Sequence, residues 1–522
     1  MSNTFKVVFV APPHDGYYNG SRYESQGITQ LAAILRDKKI TVKVIDAFLQ
    51  DLSVEDTVDL ILKSIPEVML GFSIMQFAQF RSFVSVMNLL NLQGISLPKI
   101  VVGGAYPTVA YKEILDRDLK IDLIAISESD LVIYDLYTDL ARNSNDWQLR
   151  KGFAYKYGNQ IINTGYPDIP ESIDDLPTPN HDNLIKSLEL GWPAVIHSSR
   201  GCDWGSCTFC CIGRRYPGET KVRRRSVSSV IDEIQLFSKY KTPFILFTDD
   251  NFLNNSRTDS KWLYDFIERM QRLKLYIPFG ISTRINSLEP KILEDLCSIG
   301  LKSVFLGIEG CLPRTLKLFN KGYNVEDIHT NMKMILSHSV IVACGFIMFD
   351  PEASISDIRN NIDFMRLYPF MGRFQLNQVH ILPEAPLKQY YARKNMLTLC
   401  ETGLKAIYND PSVNLVKETA SLYQTMSMET VGSLFACWFH RLTLHPEDPL
   451  VALYDEIAAQ VRIFDLDILT RWCDMASSNT KFDTYNEASI ATISLQKHLK
   501  ALNMDSVVSE INAKTKWSAR NE

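Results

Sequence analysis

The sequence predicts an α/β protein built from a doubly wound parallel sheet, a partial parallel (β/α)6 barrel and an α-helical C-terminal region. Three observations support this fold class. Short apolar runs alternate with amphipathic helix patterns over the first 150 residues, a second series of the same kind begins near residue 191, and helical periodicity alone fills the chain beyond residue 396. Strands and helices in regular alternation form parallel sheets that helices cover on both faces. The predicted parts are 1–150, a linker over 151–190, 191–395 and 396–522.

The first part contains five strand candidates, at 6–10, 41–45, 68–73, 100–102 and 123–126. Ligands of such sheets bind at the carboxyl ends of the strands. Small residues there let a large flat ligand approach the backbone, although ordinary tight turns give the same pattern. No G-x-G-x-x-G follows the first strand, so a dinucleotide site is not favoured. The candidate contacts at these strand ends are Pro12, Pro13, Ser73, Gly103, Gly104 and Glu128.

A proline-punctuated linker, with a hairpin candidate at 155–162, leads into the second series. Such a series predicts a barrel whose chemistry lies on the loops that follow the strands. Beyond it, helix patterns such as 450–464 and 488–502 indicate no function. The six strand candidates of the barrel are 194–198, 244–248, 279–283, 303–307, 342–348 and 374–381.

Composition narrows the class of protein. The chain has 522 residues, of which 46% are hydrophobic and 22% charged, and its net charge is −5. These values exclude a wholly disordered chain and give no basic field for nucleic acid. The longest apolar run, at 340–349, has ten residues, whereas a bilayer span needs about 20, so we expect no membrane span. We expect a cytoplasmic enzyme.

The cysteines are the most specific signal. All ten lie beyond residue 200, and four of them fall between Cys202 and Cys211. In a long chain such a group more often binds metal than forms disulfides. Cys202, Cys207 and Cys210 have the spacing C-x4-C-x2-C, and three thiolates on one loop suit an iron–sulfur cluster. A structural zinc site normally takes four ligands, and no second C-x2-C pair is present.

On these residues the chain resembles radical S-adenosylmethionine (SAM) enzymes, whose usual spacing, C-x3-C-x2-C, is one residue shorter. Members that methylate peptides also have a longer first gap and a tryptophan near the first cysteine, as Trp204 is here. The resemblance implies a 4Fe–4S cluster on Cys202, Cys207 and Cys210, with Cys211 outside the ligand set. Further matches stand in order after the next strands, as Asp-Asp-Asn-Phe, Ser-Thr-Arg and Gly-Ile-Glu.

These matches imply a SAM site in which Phe209 stacks on adenine, carboxylates meet the ammonium group, and an arginine pairs with the SAM carboxylate. Glu309 is placed to reach the ribose or the ammonium group. A helix cap is the alternative role for Asp250. The implied SAM-binding residues are Phe209, Asp249, Asp250, Ser282, Arg284 and Glu309.

The first part resembles the amino-terminal domain of the cobalamin-binding class of radical SAM proteins, with the strand-end residues named above as its cobalamin contacts. The chain has no D-x-H-x-x-G motif, the usual source of a cobalt-binding histidine. Another group, or none, is therefore expected below the cobalt. His14 is a candidate contact, and a solvated loop histidine is the alternative.

Together the resemblances imply a cobalamin-dependent radical SAM C-methyltransferase that acts on a peptide or other natural product through a 5′-deoxyadenosyl radical and methylcobalamin. Cyclisation or rearrangement is the alternative chemistry, and an iron–sulfur sensor is the alternative without catalysis. Methylthiolation is disfavoured because residues 1–201 contain no cysteine for an additional cluster.

The expected partners are a peptide or small-molecule substrate and an electron donor such as flavodoxin or ferredoxin. No residue is assigned as a catalytic acid, base or nucleophile. The run Arg223-Arg224-Arg225 is interpreted as a solvated approach to a helix, with a phosphate or peptide-acid contact as the alternative.

Overall fold

The computed structural model has the three parts in the predicted order. It describes residues 4–14, 22–117, 119–215, 222–254, 257–400, 403–478 and 482–516. In these ranges no helix is both long and apolar enough to cross a membrane.

The first part is a seven-stranded sheet in the order β2-β1-β3-β4-β5-β6-β7. Strands β1 to β5 are parallel, and the hairpin β6–β7 adds two antiparallel strands at one edge. The strands are β1 (Val7–Ala11), β2 (Val42–Asp46), β3 (Met69–Ser73), β4 (Lys99–Gly103), β5 (Leu123–Ala125), β6 (Phe153–Tyr157) and β7 (Gln160–Asn163). The helices are α1 (Gln26–Asp37), α2 (Val54–Leu62), α3 (Phe77–Leu92), α4 (Ala105–Leu115) and α5 (Ile133–Ala141).

Two features of this part differ from the prediction. The hairpin lies within the segment interpreted as a linker, yet it extends the first sheet because β6 pairs with β5. Helices α2 and α5 were not predicted, although the hydroxyl of Ser53 caps α2 by accepting from the Asp56 N–H at 2.9 Å. A serine three residues before an acidic residue is a known helix-start signal.

The second part is a five-stranded parallel sheet in the order β14-β13-β12-β11-β8, with a two-stranded ribbon at its entrance. The strands are β8 (Ala194–Ile196), β9 (Ser199–Arg200), β10 (Arg223–Arg224), β11 (Ile245–Phe247), β12 (Phe279–Thr283), β13 (Leu301–Glu309) and β14 (Ile341–Phe346). The helices are α6 (Leu184–Glu189), α7 (Ile212–Arg215), α8 (Val227–Lys239), α9 (Arg257–Leu273), α10 (Pro290–Ser298), α11 (Pro313–Leu318), α12 (Val325–Leu336), α13 (Ile355–Leu367) and α14 (Pro386–Arg393).

The segment predicted as the sixth barrel strand, 374–381, forms no regular strand. It begins with a short 3-10 helix, and a single parallel bridge joins Phe349 to Gln378. The carbonyl of Asn377 accepts from the N–H of Met348 at 3.0 Å. The apolar pattern of this segment is typical of a strand, but its first three residues form the 3-10 helix, and the side chains of Arg373 and Gln375 bind Asp465 in the C-terminal helices.

The third part is helical, as predicted, with one unpredicted hairpin at its start. Strands β15 (Leu397–Cys400) and β16 (Gly403–Ala406) are antiparallel. The helices are α15 (Pro411–Ala436), α16 (Trp438–Thr443), α17 (Pro449–Ser477), α18 (Thr484–Ala501) and α19 (Met504–Thr515).

A buried ion pair attaches the C-terminal helices to the barrel. Arg373 donates two hydrogen bonds, both of 2.8 Å, to the carboxylate of Asp465 in α17. Tyr423 of α15 donates to the same carboxylate at 2.7 Å, and Gln375 at 2.9 Å. A buried charge is tolerated when it is paired and fully hydrogen-bonded, and breaking such a pair costs more than it contributes.

We expect Asp465→Ala to lower the free energy of unfolding by about 3–5 kcal/mol, because Arg373 is left as an unpaired buried charge. The matched control is Asp467→Ala. Asp467 lies on α17, like Asp465, but it is exposed and pairs with Arg366 of α13, so its loss should lower the free energy of unfolding by less than about 1 kcal/mol. Urea unfolding of both variants measures the difference. Equal losses in the two variants would contradict the assignment.

Candidate functional site

The loop that carries the cysteines is held by Asp249, at the end of β11. The Asp249 carboxylate accepts from the Ser198 N–H at 3.0 Å and from the hydroxyls of Ser198 and Ser199 at 2.7 and 2.5 Å. Its side chain is fully buried. Asp249 was predicted to contact SAM, but both of its oxygens serve the backbone and hydroxyls at the start of the loop. In this structure its role is to position the loop.

The far side of the loop is fastened to the turn that follows α11. The indole N–H of Trp204 donates to the Asn320 carbonyl at 2.8 Å, and the Asn320 amide donates to the Ser206 carbonyl at 2.9 Å. The Trp204 ring lies against Gly322, where a Cβ atom would come within 2.3 Å of it. These contacts hold the part of the loop between Cys202 and Cys207 against the turn that follows α11.

The three predicted cluster ligands are partly exposed, whereas Cys211 is buried against Val109 and Ala385. Burial raises the pKa of the Cys202 thiol, and that of Cys210 to about 12, so both thiols hold their protons at neutral pH until a metal displaces them. Among the described residues, no three His, Cys, Asp or Glu side chains converge closely enough for a single metal ion. Three partly exposed thiols on one loop are a donor set that suits an iron–sulfur cluster.

Asp250 and Asn251 connect the cysteine loop to the barrel. The Asp250 carboxylate accepts from the Gly201 N–H at 3.1 Å and from Arg215 at 2.8 Å. The Asn251 amide donates to Asp203 at 2.9 Å, while its oxygen accepts from the Arg284 N–H at 3.1 Å. Asn251 was not predicted as a site residue, although it lies within the Asp-Asp-Asn-Phe motif. It links the ends of β11 and β12 to the loop.

Glu309 ends β13 in a conformation that needs the glycines around it. Its φ of 65° is unusual for a residue with a side chain, and a Cβ atom at Gly345 would lie 2.8 Å from its carboxylate. Burial raises the pKa of Glu309, and the Lys321 ammonium, 3.9 Å away, opposes this rise. A strained, half-buried carboxylate with one distant cation suits the recognition of a positively charged ligand.

Two other predicted SAM contacts, Phe209 and Arg284, share a neighbour with Glu309, namely Lys321. Arg284 stacks over Trp204, with its guanidinium carbon 4.6 Å from the ring centroid, and donates to the Lys321 carbonyl. Phe209 packs edge-to-face on Phe319 at 5.5 Å. Thus Phe209, Arg284 and Glu309 all lie close to Lys321, whose ammonium is 5.7 Å from the Phe209 ring centroid. Ser282 lies elsewhere, on the wall of a cavity inside the barrel.

A cavity of about 300 Å³ separates the first sheet from the barrel. One wall is the carboxyl edge of the first sheet, where Ser73, Gly103 and Gly104 face the space as predicted. Gly27, at the start of α1, also lines it, and a Cβ atom there would meet no atom closer than 4.0 Å. Pro12, Pro13 and His14 do not line this cavity. A glycine-lined sheet edge fits the approach of a large flat cofactor.

The opposite wall belongs to the barrel and was not predicted. It includes His197, Arg200 and Asp250, which flank the start of the cysteine loop. Gln26 of α1 lines the cavity and contacts this wall. Its side-chain oxygen lies 3.1 Å from His197 Nδ1 and accepts from the Thr248 hydroxyl at 2.6 Å. Burial lowers the pKa of His197 well below its usual value, so its imidazole is neutral.

Glu128, a predicted cobalamin contact, lines this cavity, but arginines of the barrel engage its carboxylate. Arg200 donates to Glu128 at 2.7 Å and to Asp130 at 2.8 Å, and Arg223 also pairs with Glu128. These four side chains are almost wholly buried. Glu128 therefore joins the two domains through charge.

The interpretation of the arginine run as solvated was wrong. Arg224 pairs with Asp259 at 2.9 Å and stacks over Trp262, with its guanidinium carbon 4.5 Å from the ring centroid. Arg225 is buried and pairs with Glu233 at 2.6 Å. A charge run in sequence is usually exposed, but this one enters the barrel rim, where carboxylates from other elements meet it.

A second buried charge network crosses the domains at His181. Its Nδ1 lies 2.9 Å from Glu24 of the first domain, and its Nε2 lies 3.0 Å from Glu233 of α8. Burial alone would lower the pKa of His181, but the two carboxylates outweigh it and raise the pKa to about 9. The histidine is therefore charged at neutral pH and bridges two carboxylates.

Two family models match the chain. The model of the Radical SAM superfamily matches residues 196–365, which form most of the barrel. The model of the B12 binding domain matches residues 19–136, which form most of the first sheet and its helices.

Curated relatives share a quarter or less of the aligned residues. An uncharacterized methyltransferase of Pyrococcus horikoshii is 25% identical over 372 residues, covering 69% of this chain and 78% of that protein. The 4′-phospho-dehydrooxetanocin synthase of Priestia megaterium is 23% identical over 345 residues, 60% of this chain and 45% of that protein. The anaerobic magnesium-protoporphyrin IX monomethyl ester cyclase of Rubrivivax gelatinosus is 25% identical over 260 residues, 48% of this chain and 45% of that protein.

Solved structures share the fold. The cobalamin-dependent S-adenosylmethionine radical enzyme OxsB, with aqua-cobalamin and S-adenosylmethionine bound, superposes with a TM-score of 0.71 at 16% identity over 99% of this chain and 85% of its own. The radical S-adenosylmethionine methyltransferase TsrM of Kitasatospora setae superposes with a TM-score of 0.61 at 13% identity over 75% of each chain.

We expect stability to fall as the pH rises from the ordinary pKa of His181, 6.5, through its folded-state value of about 9. The protonated form is favoured by folding, so its contribution is complete below pH 6.5 and is lost above about 9, a change on the order of 3 kcal/mol. Unfolding free energies across this range, for the wild type and His181→Gln, test the sign. If the variant showed the same decline, His181 would not be its cause.

We expect Cys202→Ala, Cys207→Ala and Cys210→Ala together to abolish cluster assembly, because each removes a thiolate from a three-ligand set. Cys211→Ala is the matched control and should assemble the cluster, since its side chain is buried away from the loop surface. Iron and sulfide content after anaerobic reconstitution, together with visible absorbance, measures both. Loss of iron in the control alone would reverse the ligand assignment.

Proposed function

We propose that this chain, which matches the models of a B12 binding domain and of the Radical SAM superfamily, is a cobalamin-dependent radical SAM enzyme that methylates an unactivated carbon of a peptide or other natural product. Its cofactors are a 4Fe–4S cluster, SAM and cobalamin. When bound, the cluster and SAM supply hydrogen-atom abstraction from carbon, and cobalamin supplies methyl transfer.

One observation carries this proposal: the cavity beside the first sheet shares its second wall with the cysteine loop. Arg200 and Asp250 line that wall, and both contact the segment that leads into Cys202. A cofactor on the sheet edge and a cluster on the loop are then neighbours. This proximity suits a reaction in which one centre activates a carbon and the other donates a methyl group.

We assign roles to the residues as follows. Cys202, Cys207 and Cys210 hold the cluster. Glu309 accepts from the SAM ammonium group, Arg284 supports its carboxylate end, and Phe209 packs on its adenine. Ser73, Gly103 and Gly104, joined by Gly27 and by His197 of the barrel, surround cobalamin. Asp249, Asp250 and Asn251 act as positioning residues for the loop.

The relatives favour methylation without deciding it. The alignment with the methyltransferase of Pyrococcus horikoshii covers 78% of that protein. TsrM, whose fold this chain shares, is also a methyltransferase. The relative named as a cyclase favours cyclisation or rearrangement as a second candidate, although this chain spans about half of it. We propose an electron donor such as flavodoxin or ferredoxin as the reductant partner for either reaction.

The test is to reconstitute the protein anaerobically with iron, sulfide and hydroxocobalamin, add reductant and SAM with a deuterated methyl group, and analyse the products by mass spectrometry. We expect 5′-deoxyadenosine, and labelled methylcobalamin together with S-adenosylhomocysteine. Release of 5′-deoxyadenosine without labelled methylcobalamin would favour the cyclase alternative. Formation of neither product would contradict the proposed enzyme and favour the sensor.

A variant separates the two cofactor sites. Gly27→Leu places a branched side chain in the cavity beside the first sheet, so we expect bound corrinoid to fall at least about tenfold, whereas iron content and 5′-deoxyadenosine release persist. Corrinoid is measured by absorbance after gel filtration. Full corrinoid binding by this variant would place cobalamin elsewhere.

A further inference from the structure

A second cavity lies inside the barrel, where the C-terminal helices close it. Its volume is about 450 Å³, within the range of about 300–1,000 Å³ typical of small-molecule sites. We infer that this barrel cavity binds the substrate of the proposed reaction, and that the substrate is an uncharged, ring-bearing apolar molecule with a hydrogen-bond acceptor. This inference rests on the proposed function and adds the chemical class of its substrate.

The position of the barrel cavity suits a substrate. Thr248, at the carboxyl end of β11, lines both the barrel cavity and the cavity beside the first sheet. A molecule in the barrel cavity is therefore separated from the proposed cobalamin site by little more than one side chain. Ser282, which also lines the barrel cavity, lies on β12, and Arg284 directly follows the end of that strand.

The barrel wall of this cavity combines one large ring with two small neighbours. Phe305 of β13 pairs in register with Ser282 of β12 and with Ala343 of β14, so the three side chains form one layer. Although Phe305 points into the barrel, it remains 36% exposed. An aromatic face flanked by small residues leaves a slot for a flat apolar molecule.

The opposite wall comes from the C-terminal helices and is also aromatic. It includes Phe435 of α15 with Trp438 and Phe439 of α16. Trp438 and Phe439 stack at 6.2 Å with an interplanar angle of 25°. The C-terminal helices, whose sequence pattern indicated no function, thus supply the aromatic wall that gives the cavity its specificity.

The charge on the walls selects a neutral ligand. Among the described residues that line the cavity, Arg373 alone carries a charge. Both oxygens of Asp465 and the hydroxyl of Ser427 already engage its guanidinium. No unbalanced charge is therefore presented to the occupant, and a charged ligand would lose its hydration without a counter-charge.

One polar group of the wall lacks a partner. The indole Nε1–H of Trp438, a residue of this wall, is buried and has no hydrogen-bond partner among the residues that the structure describes. Because buried donors are normally satisfied, an unpaired donor on a cavity wall points to a ligand that supplies the acceptor. A carbonyl, ether or hydroxyl oxygen on an otherwise apolar ring system meets this requirement.

The experiment uses the whole protein and neutral probes. We titrate it with N-phenylnaphthylamine, whose fluorescence rises in apolar sites, and displace the probe with fluorenone or with fluorene, which lacks the carbonyl. We expect one probe per chain and about tenfold tighter binding of fluorenone, equal to about 1.4 kcal/mol. The sulfonated relative of the probe, anilinonaphthalene sulfonate, should bind at least about tenfold more weakly than the neutral probe.

Three variants assign the binding to this cavity. Trp438→Phe should abolish the preference for fluorenone while it keeps the probe bound. Its matched control is Trp147→Phe, which removes another buried, unpaired indole N–H in the first domain and should keep the preference. Ala343→Leu should weaken probe binding at least about tenfold because it fills the slot beside Phe305. Thermal melts by circular dichroism confirm that each variant is folded.

Each alternative result overturns a stated part. Probe binding unchanged in Ala343→Leu, or absent from the wild type, would remove the cavity as the site. Equal binding of the sulfonate would overturn the neutral class, and an unchanged fluorenone preference in Trp438→Phe would overturn the acceptor. Because no SAM is present in this assay, failure here leaves 5′-deoxyadenosine release unaffected, whereas failure of the proposed function leaves probe binding unaffected.

Discussion

The ion pairs of Arg200 with Glu128 and Asp130 set the relation between the two cofactor domains. Arg200 lies two residues before Cys202, and both carboxylates follow β5 of the first sheet. Burial opposes the charge of Arg200, yet the two carboxylates outweigh it and raise its pKa further above its usual range. Since the pairs are almost wholly buried, the cysteine loop cannot shift against the sheet edge without breaking them. The spacing between the cysteine loop and the cavity beside the first sheet follows from this constraint.

Local chemistry made much of the fold and of the site predictable. Buried strand runs and helix periodicity predicted the central sheets, and helices such as α8, α11 and α13 begin and end as predicted. The glycines of the first sheet edge face the expected cavity because the carboxyl ends of parallel strands always meet at one edge. The ligand assignments on these residues stay predictions.

What the sequence did not predict depends on partners distant along the chain. Glu128 and Arg200 are 72 residues apart, and Asp249 meets Ser198 from 51 residues away. No local pattern distinguishes a carboxylate that will receive an arginine from one that will face a ligand. The binding of Arg373 and Gln375 to Asp465, 92 and 90 residues further on, is another contact that no local pattern predicts.

The His181 network bears on how this architecture can be divided. Glu24, His181 and Glu233 belong to the first domain, the connecting segment and the barrel, and each is buried in the assembled chain. The connecting segment is therefore a structural component of both domains, not a tether between independent modules. A recombination breakpoint placed anywhere between Glu24 and Glu233 would separate members of this triad and leave buried charge unpaired. Exchange of either domain between proteins of this architecture, in evolution or in the laboratory, has to carry the matching residues of the other two parts with it.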